Sequence, residues 1–176
     1  MNAAHIHLLL NHVPVLGAVF GLLVLGYGYA RDSREVMKAG LWLLVIVGVT
    51  GGLVYLTGEP AEELVEDLAG VSEAVLERHE AAALWATIGA GLVGLAALAG
   101  LVRWRAAELP RRYTGAVLAL TLGLTGLMGW TANLGGQIRH AEIRSGGRVS
   151  AQLEHEGGAR GDEARATRGA GGDADD

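Results

Sequence analysis

The stretch HIHLLLNHVP, residues 5–14, gathers His5, His7 and His12 where an apolar segment begins, in a chain with six histidines altogether. A neutral imidazole binds haem iron, Zn, Cu and non-haem Fe, and it gains or loses a proton near neutral pH. His5 and His12, seven residues apart, share a helix face, whereas His7 and His12 diverge by about 140°. Further along, His79 and Glu80 adjoin in LERHEAA, and His140 closes GGQIRH. Asn133, Gln137 and His140 follow one another at i, i+4 and i+7, a polar stripe on a helix.

The chain has no cysteine, which excludes disulfides, thiolate metal sites, iron–sulfur clusters and thioether-linked haem. Histidines, together with Glu59, Glu63 and Glu80, are then the donors on offer. Two histidines from facing helices suit a b-type haem. A mixed His/Glu set of His7, His12, Glu59, Glu63, His79, Glu80 and His140 suits non-haem Fe, Cu or Zn. A proton relay would need a polar path across the apolar segments, and Thr87, Thr121 and Thr125 offer little of one. No nucleophile triad, phosphate loop or nucleic-acid patch is present. His155 reads as solvent-exposed and idle.

The elements that must position these residues are four apolar blocks, about 8–30, 39–57, 81–102 and 113–134. Each is long enough for a helix to cross ~30 Å of hydrocarbon. Soluble core helices seldom run so far without a polar face. The first block lacks a basic leader and is too long for a signal peptide. The reading is all-α: an integral membrane four-helix up-down bundle. It occupies residues 1–144, and a disordered hydrophilic tail follows over 145–176. That tail is rich in Gly, Ala and mixed charge.

Lys and Arg concentrate in RDSREVMK and RWRAAELPRR, so the 31–38 and 103–112 connections are expected on the cytoplasmic side. Both termini and the acidic 58–80 connection are then outside. His5, His7, His12, His79 and His140 thereby gather at one membrane face. Trp42, Trp104, Tyr113, Tyr55, Trp85 and Trp130 form the usual interfacial belt. The chain has 28 glycines. Those at 17 and 21, at 48 and 52, and at 123, 126 and 129 predict close helix packing. In the acidic connection a short amphipathic helix is predicted over about 60–69. Pro60 would lie in its first turn and Gly70 at its end, with Leu64, Leu68, Val71 and Val75 capping the bundle. Ser72 is predicted to cap the next helix, which runs through His79.

Four segments together resemble an uncharacterised family of bacterial four-helix integral membrane proteins. They are the His-x4-His-x-Pro pattern of His7, His12 and Pro14, the TGEPAEE of Thr57 to Glu63, the His79–Glu80 pair, and ANLGGQIRHAEI. The last departs from the family pattern, with Ala132 where the relatives carry Gly. The resemblance covers about residues 4–144. It implies this fold and topology in a bacterial inner membrane. It also implies the candidate set His7, His12, Glu59, Glu63, His79, Glu80, Asn133, Gln137 and His140, but it names no ligand and leaves His5 outside the pattern.

The expectation is a haem b electron-transfer site at the outer face. His12 and His79 would be axial ligands, with His7 and His140 as a second pair or in support. A non-haem Fe, Cu or Zn site is the alternative, and a structural subunit without cofactor the second. The partners implied are the lipid bilayer and a redox partner or membrane complex.

Overall fold

The computed structural model describes residues 2–66, 68, 71–140 and 143. The chain divides into two units, Met1–Ile138 and Arg139–Asp176. The described residues of the first are mostly helical and include no strand. Its helices are α1 (Ala3–Leu10), α2 (His12–Ala30), α3 (Arg34–Leu56), α4 (Gly58–Glu62), α5 (Glu73–Arg103) and α6 (Arg111–Arg139). Four stretches are long and apolar enough to cross a membrane: Ala3–Ala30, Arg34–Leu56, Glu73–Arg103 and Arg111–Ile138.

Local chemistry sets the helix ends. Asn2 caps α1 by accepting the His5 N–H at 3.0 Å. α1 stops at Leu10 and α2 starts at His12, with Asn11 between them. Pro14 accounts for the interruption, because it has no N–H to give the Leu10 carbonyl and its ring crowds that group. α2 ends in a left-handed residue, Asp32 (φ 54°), after which the Ser33 N–H reaches back to the Gly28 carbonyl at 2.9 Å. That backward bond satisfies a carbonyl that the helix end would leave bare. The Asp32 carboxylate accepts from Arg111 Nη1 at 2.8 Å, and the Arg111 guanidinium lies over the Tyr29 ring. Ser72 stands at the α5 N-cap, though its side chain makes no capping bond.

The core is a seam of small and branched residues. Leu25, Leu41, Leu44, Ala18, Ala90 and Ala97 are fully buried. Packing is closest where glycine removes the side chain. A Cβ on Gly40 would fall 2.7 Å from the Leu25 backbone nitrogen, and one on Gly94 would fall 3.0 Å from the Gly48 Cα. Gly17 meets Val47, Gly21 meets Leu44, and Gly100 lies against Tyr113. The opposite faces carry Leu16, Phe20, Leu23, Ile46, Val49, Leu92 and Leu95, all exposed. Apolar surface on this scale is unusual on a protein surrounded by water.

Two expectations are corrected. Gly52, Gly123, Gly126 and Gly129 have open space beside them, so of the seven glycines expected to pack closely, Gly17, Gly21 and Gly48 do so. The acidic-connection helix is the five-residue α4, followed by turns through Glu66. Four like charges at 59, 62, 63 and 66 fall at helical spacing, which disfavours a longer helix. Leu64 and Leu68 are exposed rather than capping anything, while Ala61 and Leu76 are buried. Gly70 and the whole 145–176 tail lie outside the described residues.

Gly94→Leu is expected to destabilise the protein by about 1–3 kcal/mol through overpacking. Gly123→Leu should stay within about 0.5 kcal/mol of the parent. Mixed-detergent unfolding followed by far-ultraviolet circular dichroism measures both. Equal effects at the two positions would contradict the packing described.

Candidate histidine site

The site is built at the ends of α1, α3, α5 and α6. Thr57 follows α3, and its hydroxyl donates to the Val54 carbonyl at 2.7 Å. That commits the hydroxyl proton, so Thr57 Oγ1 can only accept from a third group. His7 Nδ1, 3.0 Å away, is that group and donates its N–H. On α5, His79 Nδ1 lies 3.0 Å from the Thr131 carbonyl of α6. A carbonyl has no proton to give, so here too Nδ1 carries the hydrogen. Both rings are half-buried. They are close enough that a charge on His79 opposes a charge on His7.

The consequence is chemical. With Nδ1 protonated and anchored, a neutral imidazole presents its lone pair at Nε2. An anchored N–H on the far nitrogen is what orients a metal-ligating histidine and raises its basicity. Glycines leave room beside the rings. A Cβ on Gly135 would fall 3.1 Å from His79 Cε1, and one on Gly58 would fall 3.9 Å from His7 Cε1.

His12 stands apart from this pair. Its Nδ1 donates back to the Leu8 carbonyl of its own chain turn at 2.7 Å, and the residue is exposed. It lines a shallow open groove with His5, Leu8 and Leu9, as their shared helix face requires. The structure thus brings His7, and not His12, into the field of His79. Gln137 Nε2 donates to Asn133 Oδ1 at 2.7 Å, joining two residues of the polar stripe on α6. His140 belongs to the second unit, where its carbonyl accepts the Ile143 N–H at 3.3 Å.

Glu59, Glu63 and Glu80 are exposed. Among the described residues no group of three or more His, Asp or Glu is placed to hold a metal ion. The carboxylate that the structure distinguishes is Glu62, which sequence reading passed over. Burial pushes its carboxyl above the usual range, with Glu80, Glu66 and Glu59 adding repulsion. Thr57, Thr131 and Gly135 were also missed as site residues. Their roles depend on a hydroxyl already spent, a backbone carbonyl and an absent side chain, and none of these has a motif. Comparison with family models, with curated proteins and with solved structures returns no match.

Two outcomes follow. Nitrogen-15 spectra of the histidine rings near neutral pH should show the Nδ1–H tautomer at His7 and His79. An Nε2–H tautomer at either would overturn the assignment. Because the Glu62 pKa is raised on folding, the folded state binds more protons than the unfolded state between the ordinary and the raised value. Stability therefore falls as pH rises through that window. Glu62→Gln should raise the melting temperature at pH ~7 and lose that advantage below about pH 4, beneath the ordinary carboxylate pKa. A pH-independent difference would contradict it.

Proposed function

We propose that this is an integral membrane protein of the four-helix up-down class, with a bis-histidine haem b site at its outer end that serves electron transfer. The up-down arrangement is supported by contacts whose numbering runs oppositely. Gly17 and Gly21 meet Val47 and Leu44, Gly48 meets Gly94, and Gly100 meets Tyr113. Orientation rests on the basic 31–38 and 103–112 connections, which put both termini and the acidic connection outside in a bacterial inner membrane.

One observation carries the functional reading. His7 and His79 come from different helices, each with Nδ1–H anchored to an oxygen and Nε2 left as the donor. This donor set fits haem. A tetrapyrrole supplies four nitrogens and needs only two imidazoles, whereas Zn, Cu or non-haem Fe sites usually need three or more protein ligands. With no three-residue group among the described residues, the haem reading gains over the non-haem alternative built with Glu59, Glu63 or Glu80. When bound, haem would supply a one-electron couple.

In this reading, His7 and His79 would hold the haem through Nε2. Thr57 and the Thr131 carbonyl hold their tautomers and orientations. His12 is a supporting position, and Asn133 and Gln137 continue the polar end of α6. A redox partner would meet the protein at the same outer face.

An optical spectrum of the detergent-purified full chain, expressed with haem available, tests the reading. A Soret band with sharp α and β bands on reduction is expected. His7→Ala and His79→Ala should abolish it, while His12→Ala should leave it largely intact. Thr57→Val should weaken haem affinity by about 10–100-fold through loss of the His7 anchor. A colourless parent protein would sink the haem reading. Loss of colour only in His12→Ala would give His12, rather than His7 and His79, the task of holding the haem.

A further inference from the structure

The end of α3 away from Thr57 carries a second unusual arrangement. Arg34 Nη2 and Lys38 Nζ both donate to the backbone carbonyl of Arg105, each at 2.8 Å. Two cations thus converge on one neutral oxygen. Arg34 Nε is buried and has no hydrogen-bond partner. The one ion pair among the described residues, Arg111 with Asp32, involves neither of them. Glu35 and Glu108 occupy the same connections, yet both are exposed and neither pairs with Arg34 or Lys38. Arg103, just before this carbonyl, lies over the Trp104 ring at 5.6 Å.

A carbonyl dipole does not neutralise two positive charges held side by side, and leaving a buried guanidinium donor unmade costs free energy. A purely architectural tie between the two connections would need one cation, not two plus an unspent N–H. What completes the set is a singly or doubly charged oxyanion with several acceptor oxygens. The guanidinium fork of Arg34 with the point charge of Lys38 matches a phosphate. The location points the same way. The cluster gathers the start of the apolar stretch Arg34–Leu56 and the residue two beyond the end of Glu73–Arg103, and the ends of stretches long enough to span a bilayer would sit near phospholipid headgroups.

We propose that Arg34 and Lys38, gathered at the Arg105 carbonyl, form a phosphate-binding site at the membrane edge, independent of the histidine site. The phosphate comes from an anionic phospholipid headgroup or from free phosphate in solution.

The test is thermal unfolding of the detergent-purified full chain at constant ionic strength, titrated with phosphatidylglycerol, phosphatidylcholine or inorganic phosphate. Phosphatidylglycerol should raise the melting temperature, and phosphatidylcholine should have much less effect. Lys38→Gln should weaken the apparent phosphatidylglycerol affinity by about tenfold, the loss of one charge-assisted hydrogen bond. Arg34→Gln should do the same. Should Arg34→Gln fail to fold, Lys38→Gln decides alone, because it leaves Arg34 with its buried Nε in place. Stabilisation by inorganic phosphate to the same extent would support the site and name free phosphate as its source. Stabilisation by the lipid alone would support it and name the headgroup. Equal response to the two lipids, or a full phosphatidylglycerol response in Lys38→Gln, would overturn the proposal.

Discussion

Close backbone approach at small residues is the constraint on which the rest of this structure depends. Between helices in lipid there is no gain from removing apolar surface from water, so cohesion must come from contact. Each atom pair contributes little, but a seam of them is substantial. Gly40 against the Leu25 backbone and Gly48 against Gly94 bring α2, α3 and α5 to a separation that any side chain would prevent. These contacts also fix the register of the helices. Register in turn decides that Thr57 stands opposite His7 and that the Thr131 carbonyl stands opposite His79.

The polar chemistry is confined to the ends. Within α6, the hydroxyls of Thr114, Thr121, Thr125 and Thr131 each turn back to a carbonyl one turn earlier. They satisfy themselves locally and make no chain of donors through the apolar middle. That arrangement favours a terminal site over a conduit. At the Thr57 end of α3 the same economy of donors has a different result. Thr57 spends its proton on Val54, and so it can hold His7 in one tautomer only.

Charge is divided between the two ends. At one end Glu62 has its pKa raised, first by burial and then by the charges of Glu80, Glu66 and Glu59. Arg34 and Lys38 crowd the other end without a carboxylate partner. Both crowdings oppose folding when viewed as isolated pairs, since like charges close together are destabilising. Both are tolerable at an aqueous boundary where counter-charges and water are at hand.

Several features were legible in the sequence because they depend on local rules. Apolar block length and the absence of cysteine determined four long helices and the restriction to histidine and carboxylate chemistry, whereas the break after Leu10 emerged only in the structure. Which face of each helix turns inward was not legible. A helix that is apolar all round carries no stripe from which to read its inward face. Only the tertiary structure decided that Gly48 is packed while Gly123, Gly126 and Gly129 face open space. It alone decided that His7 lies in the field of His79 while His12 folds back on Leu8. The two histidines of α1 and α2 lie on different faces, and the choice between them rests on where Thr57 and Gly58 arrive from another helix.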